Sequence, residues 1–302
     1  MSAVFPRGNS TIAIYRQQFI NSESNFTFGG ADNKVDLNGS IYGLGMGIKA
    51  SDMASLGFSV GFAQLDYFFE ARKTAATDSF IHQVDGSDTS EYYAASLLLS
   101  PIESLSLGMV YRYGPEFDTR MDLISVTNRI IPVTGPGIPS GTTVTVPTTE
   151  VQNMNNHMKV PDVYGVGISF RPIASLTIAA DYNRIKYSQL ADQLIVLPAH
   201  AGDSQDDFQI DDADEYHAGA EYVLDLGGFP LALRAGYYFR PDHRFYYTGN
   251  NSGTHDMYHE GEDENIYAGG LGMVLGEKVQ LDAAAMIGDF TKEYTVSMVY
   301  RY

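Results

Sequence analysis

The chain has 302 residues, with 19 lysines and arginines against 37 aspartates and glutamates, which gives a formal net charge of -18. This charge excludes nucleic acid as a partner, because binding to nucleic acid depends on cationic side chains that neutralise phosphates. The sequence has no cysteine and no tryptophan. Disulfide scaffolds, thiolate zinc sites and cysteine nucleophiles are therefore excluded as well.

No apolar run is long enough for a membrane-spanning helix, which needs about 20 consecutive apolar residues. A spanning β-strand needs only about 10 residues of alternating character, so a chain built from such strands keeps its mean hydropathy near zero. The mean hydropathy here is -0.15. These values are compatible with a membrane β-barrel.

Alternation of apolar and polar residues recurs along the whole chain, and no stretch of comparable length has the spacing of an amphipathic helix. We therefore predict an all-β protein. About twelve strands are expected, near residues 10–19, 38–49, 54–70, 90–100, 104–113, 160–171, 175–187, 215–225, 230–240, 265–275, 278–288 and 291–302.

The segment that starts at Leu105 shows which residues alternate. One face carries Leu105, Leu107, Met109, Tyr111 and Tyr113, and the other carries Ser106, Gly108, Val110 and Arg112. The same division into an apolar face that ends in aromatic residues and a small or charged face returns near residues 164–171 and 231–240. A soluble sandwich turns its apolar face inward, whereas a membrane barrel turns it toward lipid and keeps a polar lumen.

The connections between the predicted strands favour the barrel. Short connections near 49–54, 100–104, 171–175, 225–230 and 276–278 alternate with long ones near 20–37, 71–89, 114–159, 188–214 and 241–264. The short connection at 288–291 is the exception. Short turns on one rim and long loops on the other are typical of outer-membrane barrels. The sequence predicts one antiparallel transmembrane barrel over residues 1–302, with periplasmic turns and acidic, solvated extracellular loops.

The last strand has a specific local pattern. Tyr294, Val296, Met298, Tyr300 and Tyr302 occupy every second position. This arrangement resembles the C-terminal signal of outer-membrane barrels, which the barrel-assembly machinery reads. We therefore expect residues 294–302 to contact that machinery.

Several motifs together resemble one known family. They are KVPDVYGVGISFRP at 159–172, LTIAADYNRIKYS at 176–188, LGMVYRYGPEF at 107–117, HAGAEY at 217–222, LRAGYY at 233–238 and the YRY ending. In this order they resemble the outer-membrane long-chain fatty acid and aromatic-hydrocarbon transport proteins, the FadL/TodX family. The resemblance covers most of the chain from about residue 40 onward.

The resemblance implies a monomeric fourteen-stranded barrel in the bacterial outer membrane, among lipid and lipopolysaccharide. Its ligand would be a fatty acid or another hydrophobic compound, taken up passively through an extracellular groove and an apolar pocket and released sideways beside a kinked strand. The chain departs from the family pattern at its start, where the N-terminal hatch and the first strands are not found. We expect an N-terminally truncated chain or a misassigned start.

Strand parity places five arginines on the inward face: Arg112, Arg171, Arg234, Arg240 and Arg301. A guanidinium can hold a carboxylate through two parallel hydrogen bonds. Arg112 and Arg234 lie deepest in their strands and are our first candidates for the headgroup of a fatty acid, ahead of Arg171 and Arg301. The competing interpretation is that these arginines pair with inward carboxylates such as Glu221, Asp181 and Asp282.

Apolar ligand contacts are predicted in several places. The segment LDYFFEA at 65–71 interrupts the alternation near Ala63, which predicts a bulge that turns Phe68 or Phe69 toward a groove. Phe117 and the apolar stretch from Ala191 to Pro198, both in predicted long loops, are the other candidates.

Two alternative functions remain open, a general porin or structural barrel and an outer-membrane lipid hydrolase. The hydrolase hypothesis has one motif, GFSVG at 57–61, but a nucleophile elbow requires a turn between a strand and a helix. This motif lies within a predicted strand. We expect no enzyme activity, no cofactor and no metal site.

Overall fold

A computed structural model describes residues 2–28, 30–73, 79–192, 204–276 and 278–300. Seventeen strands and two short α-helices occupy these described residues. None of the helices that the structure describes has the length and the apolar composition needed to cross a bilayer. The strands in chain order are β1 (Ser2–Arg7), β2 (Ser10–Phe28), β3 (Ala31–Lys49), β4 (Ala54–Lys73), β5 (Ser79–Ile102), β6 (Leu105–Tyr113), β7 (Glu116–Pro132), β8 (Thr143–Lys159), β9 (Val163–Ile173), β10 (Leu176–Ile185), β11 (Phe208–Gln209), β12 (Ala213–Asp225), β13 (Pro230–Arg240), β14 (Tyr246–Tyr247), β15 (Glu264–Leu275), β16 (Val279–Ile287) and β17 (Lys292–Tyr300).

Fifteen of the strands form one antiparallel sheet. Its order is β1-β2-β3-β4-β5-β6-β9-β10-β12-β13-β15-β16-β17. β7 and β8 form a hairpin that branches from this sheet, where β7 pairs with the first residues of β5, Ser79 to Gln83. β11 and β14 pair separately. Over the residues that the structure describes, no hydrogen-bonded register joins β1 to β17.

One rim of the sheet carries the short turns that the sequence predicted. Short turns lie on this rim at residues 8–9, 50–53, 103–104, 174–175 and 226–229, and a further short connection leads from the end of β15 at Leu275 to the start of β16 at Val279. Gly227 and Gly228 have φ angles of 72° and 95°, which glycine adopts without the steric cost of a Cβ atom. The other rim carries the longer connections, including α1 (Ser188–Ala191) and α2 (Ser252–Met257), and we call it the loop rim.

The twelve predicted strands are all present, but several predicted loops were wrong. Most of residues 20–37 belong to β2 and β3, and most of residues 114–159 belong to β7 and β8. Apolar and polar residues are mixed on both faces of these extensions, as in β7, where Phe117 and Ile131 belong to one face and Ile124 and Val126 to the other, so the extensions lack the regular alternation that marks a strand in contact with lipid. Their backbone groups instead pair across the hairpin, as in the register from Glu116–Lys159 to Pro132–Thr143.

The apolar face of each barrel strand points outward. Met109 is 54% exposed on β6, and Val296 and Met298 on β17 are 82% and 70% exposed. On the opposite face, Ser106, Gly108 and Asp181 line a large lumen cavity. The exposed stripe is therefore the lipid-facing surface of an outer-membrane type barrel, because a soluble fold would bury these side chains.

Aromatic side chains form a belt on the outer surface toward the loop rim. Neighbouring rings contact each other across strands, with centroid separations of 4.9 Å for Tyr111 and Tyr164 and 5.4 Å for Tyr182 and Tyr216. Tyr237 and Tyr267 continue the belt at 5.5 Å. Amphipathic rings of this kind lie at the level of the lipid headgroups.

The interior near the loop rim is apolar. Ile41, Ala63, Leu65, Tyr92 and Phe117 form a buried cluster. The predicted bulge near Ala63 was wrong, because β4 keeps an unbroken register with β3 and β5 along this segment. Inward residues of β4 change from small to apolar at Ala63, where the strand passes from the lumen into this cluster. The bulge lies instead in β2, between Gln18 and Ile20.

Candidate functional site

An apolar cavity of about 440 Å³ lies on the concave side of the sheet, near the loop rim. We call it the Arg112 cavity. It is lined by Gln17, Phe19, Ile20, Ile41, Tyr92, Arg112, Gly114, Pro115, Met158, Val160, Pro161, Val163, Ile185, Tyr187 and Leu190. Its volume falls within the range of about 300–1,000 Å³ that is usual for small-molecule sites.

Strand parity explains why these residues meet. β6 and β9 pair with Val110 opposite Gly165 and Arg112 opposite Val163, and each of these side chains belongs to the inward face. Toward the short-turn rim most of the inward residues of β6 and β9 are small, and at Arg112 and Val163 they become larger. The cavity therefore begins where the inner wall changes from small to bulky side chains.

Arg112 is the one charged residue among the described residues that line the cavity. Within the described ranges its guanidinium has no ion pair and no hydrogen bond, in contrast to Arg234. Gln17, Tyr92 and Tyr187 are the other lining residues with a polar side-chain group. A cation at an apolar wall that lacks a carboxylate partner can bind the anionic end of an amphipathic ligand.

A buried polar network supports the wall beside Arg112. Lys159 and Asp162 are 7% exposed each, and their charged groups lie 3.4 Å apart. The Nζ atom of Lys159 also lies 3.4 Å from the centre of the Tyr113 ring. The carboxylate of Asp162 accepts hydrogen bonds from the backbone N–H of Gly114 and from the hydroxyl of Tyr111. This network joins the ends of β6 and β8 to the start of β9.

The two prolines beside this network end the strands. Gly114 and Pro115 separate β6 from β7, and Val160 and Pro161 separate β8 from β9. The backbones approach so closely that a Cβ atom on Gly114 would lie 1.9 Å from the carbonyl oxygen of Val160. The β7–β8 hairpin therefore leaves the barrel wall at a tightly packed double junction.

The predicted aromatic contacts lie in different surroundings. Phe117 is fully buried in the apolar cluster and stacks on Phe19, with ring centroids 6.3 Å apart, so it supports the cavity without lining it. Phe68 lies beneath the Lys34 ammonium at 5.9 Å, and Phe69 is half-buried. Neither Phe68 nor Phe69 lines the cavity. Of the predicted apolar stretch at 191–198, residues 193–198 lie outside the described residues.

The predicted arginines are not brought together. Arg234 bonds to Glu221 at 2.7 Å and to Asp282 at 2.6 Å, which is the cross-wall pairing that was weighed as the competing interpretation. Arg171 lies in β9 near the short-turn rim. Arg301 lies outside the described residues. The geometry therefore favours Arg112 over Arg234 as a ligand contact.

A wider cavity of about 650 Å³ continues along the inner wall below Arg112. Its walls include Ser96, Ser106, Gly108, Gly167 and Asp181. Small and polar side chains leave this part of the lumen open, so the Arg112 cavity and the lumen lie one above the other on the same inward face.

Sequence reasoning missed several cavity residues. Met158, Val160, Tyr187 and Leu190 lie at strand ends or in a connection, where no periodicity marks them. The Gly114-Pro115 and Val160-Pro161 pairs are the signal that could have located the junction, because proline ends a strand and glycine permits close backbone approach.

Comparisons with known proteins agree with this architecture. A family model described as outer membrane protein transport protein (OMPP1/FadL/TodX) matches residues 22–296. Among curated protein sequences, no significant relative of this chain was found.

Solved structures share the fold at low sequence identity. The CymD monoaromatic hydrocarbon channel is 12% identical, with a TM-score of 0.59 over 100% of this chain and 81% of that chain. The Ralstonia pickettii toluene transporter TbuX is 14% identical, with a TM-score of 0.57 over 99% of this chain and 77% of that chain. A FadL homologue of Pseudomonas aeruginosa is 13% identical, with a TM-score of 0.62 over 97% of this chain and 69% of that chain.

Proposed function

Because this chain belongs to the outer membrane protein transport protein family (OMPP1/FadL/TodX), we propose that it carries hydrophobic compounds passively across the bacterial outer membrane and holds them in the Arg112 cavity. The family and the fold place the protein in the outer membrane. Lipopolysaccharide hinders direct partition of such compounds into the outer leaflet. A protein route past that layer needs no energy source in the chain itself.

The Arg112 cavity is the observation that carries this proposal. Its wall is mostly apolar, and Arg112 is its one charged lining residue in the part of the chain that the structure describes. Such a site suits a long-chain fatty acid, whose tail would occupy the apolar space while its carboxylate meets Arg112. Uncharged hydrocarbons, which the similar CymD and TbuX structures are named for, would use the same apolar space without the cation.

The lumen suggests where the ligand goes next. Below the cavity, Gly108 and Gly167 keep the inner wall of β6 and β9 open. A ligand that leaves the cavity could follow this wall toward the short-turn rim. Whether the protein prefers aliphatic or aromatic ligands depends on the shape of the Arg112 cavity, which the ligand occupies before it enters the lumen.

The alternative functions fit the structure less well. A general porin needs a polar, water-filled lumen, whereas a buried apolar cluster that includes Phe117 and Leu65 lies on the inward face near the loop rim. A hydrolase would need an exposed nucleophile, yet Ser59 lies within β4 and bonds to the Tyr15 hydroxyl and the Leu44 carbonyl oxygen. The transporter is therefore the function that the geometry supports best.

The membrane partners belong to the same proposal. We place the aromatic belt at the headgroup level, in contact with lipopolysaccharide, and treat the barrel as a monomer. β17 is exposed along its whole length, which leaves the strand at residues 294–302 accessible to the barrel-assembly machinery. Its last two residues lie outside the described ranges.

Uptake by proteoliposomes tests the proposal. Liposomes that contain the purified protein should take up oleate or toluene faster than protein-free liposomes, with no comparable gain for glucose. Arg112→Ala should slow oleate uptake, whereas Arg171→Ala at the short-turn rim provides a matched control and should not. Equal gains for glucose and for both hydrophobic compounds would favour the porin and contradict the proposal.

A further inference from the structure

One part of the cavity wall does not belong to the sheet. Residues 186–190, which we call the strap, follow β10 directly and include the first three residues of α1. They contribute Tyr187 and Leu190 to the lining of the Arg112 cavity. Most of the other lining residues lie in strands or at the double junction. Within the strap, the backbone N–H groups of Tyr187, Gln189 and Leu190 donate to nearby carbonyl oxygens, those of Ile185, Lys186 and Tyr187 respectively.

One side of the strap is held by Asp212. The carboxylate of Asp212 accepts hydrogen bonds from the Lys186 ammonium, from the Ser188 hydroxyl at 2.7 Å and from the Ser188 backbone N–H at 3.1 Å. Arg184 adds an ion pair at 3.1 Å. This side of the strap therefore depends on a single carboxylate.

The other side of the strap is held by Asp162. The backbone N–H of Lys186 donates to the Asp162 carbonyl oxygen at 3.0 Å, and the backbone N–H of Asp162 donates to the Gln189 side-chain oxygen at 2.8 Å. These bonds connect the strap to the network of Lys159 and Asp162 beside Arg112. The strap thus lies across the cavity between two anchors.

Tyr187 provides a third contact. Its ring stacks on His243, with centroids 4.7 Å apart and planes 14° apart. His243 belongs to the connection after β13. In the described part of the chain, the Tyr187 hydroxyl has no hydrogen-bond partner, so the ring rather than the hydroxyl holds this residue in place.

From this arrangement we infer that the strap is the size-selecting wall of the cavity, and that Tyr187 and Leu190 determine the bulk of the hydrophobic compound that it accepts. This inference rests on the proposed function. Strands of a hydrogen-bonded sheet cannot move apart without breaking a ladder of backbone bonds. Over the described residues, the strap is held to other segments by one backbone bond, from Lys186 to Asp162, and otherwise by hydrogen bonds that involve the side chains of Asp212 and Gln189, so fewer backbone bonds oppose its movement. Bulky ligands must therefore displace the side chains of Tyr187 and Leu190 first.

Binding of two neutral compounds of different bulk tests the inference. Equilibrium dialysis of the full chain in detergent micelles, corrected against empty micelles, would give the affinities for toluene and naphthalene. Leu190→Ala and Tyr187→Ala should each raise the ratio of naphthalene to toluene affinity about tenfold, because loss of the leucine isopropyl group or of the tyrosine ring leaves room for the second ring of naphthalene. Tyr187→Phe should leave the ratio unchanged.

A matched control removes the same side chain from the lipid face. Leu44 is 54% exposed on the outer surface of β3, and Leu44→Ala should leave the ratio within about twofold of wild type. Heat-modifiability on gels identifies variants that have folded. A ratio that stays at the wild-type value in both folded cavity variants would overturn the inference.

Asp212→Asn tests the anchoring without changing any lining residue. It should raise the dissociation rate of toluene several-fold while the affinity ratio stays unchanged, because the strap opens more often and its shape is kept. An unchanged dissociation rate would count against the strap. If wild-type protein binds neither compound, the proposed function and the inference about the strap are both contradicted. If wild type binds them and the variants do not differ from it, only the inference about the strap is contradicted.

Discussion

Lys159 donates a hydrogen bond of 2.6 Å to the carbonyl oxygen of Gly114, and this bond joins the two ends of the β7–β8 hairpin. Lys159 is also paired with Asp162, and both residues are buried. The hairpin supplies Met158 to the Arg112 cavity. Stability at this junction and the shape of the cavity are therefore linked.

Removal of one partner of this buried pair should be costly. Lys159→Met leaves the Asp162 carboxylate buried without its cation, and we expect a loss of about 3–5 kcal/mol in the free energy of unfolding. Denaturant unfolding in detergent micelles would measure this loss. The double variant with Asp162→Asn should recover part of it, because no unpaired charge then remains.

An exposed pair provides the control for that experiment. Lys49 pairs with Asp52 at 2.7 Å in the turn at 50–53, with side chains 50% and 96% exposed. Lys49→Met should change stability by less than about 1 kcal/mol, since surface ion pairs contribute little. Equal losses for Lys159→Met and Lys49→Met would contradict a structural role for the buried network.

Gly114 should not tolerate a side chain. A Cβ atom at this position would lie 1.9 Å from the Val160 carbonyl oxygen, whereas a Cβ atom on Gly108 would have no neighbour within 4 Å. We expect Gly114→Ala to lower the free energy of unfolding by about 1–3 kcal/mol or more, because the two backbones must separate. Gly108→Ala should stay close to wild type. Thermal unfolding followed by circular dichroism would compare the two variants.

The anchor at Asp212 should depend on pH in a defined direction. Burial raises the pKa of Asp212, but hydrogen bonds from Lys186 and Ser188 outweigh it and lower the pKa from 3.8 to about 2. Because the pKa of Asp212 is lower in the folded state, its ionised carboxylate stabilises the anchor at pH values above the ordinary pKa of 3.8. This contribution is lost as the pH falls toward about 2. The strap should therefore stay anchored at neutral pH and loosen only in strong acid.

Hydrogen exchange at the Ser188 amide would check this prediction. Its protection, corrected for the intrinsic exchange rate, should hold from pH 7 to about pH 4 and then decline. Asp212→Asn should lower the protection at pH 7 and remove its dependence on acid. Protection that is independent of both the substitution and the pH would show that Asp212 does not hold the strap.

The sequence was most informative where strands meet lipid. Period-two alternation located all twelve predicted strands and the outward direction of Met109 and Met298, because hydrocarbon contact imposes one apolar face on each strand. The same signal was absent from β7 and β8, where apolar and polar residues are mixed without a regular period of two, so these strands were predicted as a loop. The alternation signal also led to a wrong prediction near Ala63. There the inward face of β4 becomes apolar, and the sequence was interpreted as a bulge that the structure does not have.

The cavity was only partly predictable. Arg112 was ranked first together with Arg234, from strand parity and position in the strand, and the structure places Arg112 at the cavity wall. Its difference from Arg234 depends on which carboxylates lie across the wall, which no local pattern reveals. Tyr187 and Leu190 were missed because a short connection has no periodicity, and its position is determined by distant anchors such as Asp212.

The most direct test compares oleate with oleyl alcohol, which has the same chain and no charge, in binding to wild type and to Arg112→Ala. If the Arg112 cavity holds the ligand, the variant should bind oleate about tenfold or more weakly, since a hydrogen bond to a charged group contributes about 1.5–3 kcal/mol. Its affinity for oleyl alcohol should change less than about twofold. Equal weakening of both ligands, or no weakening of either, would contradict the assignment of Arg112 and of its cavity.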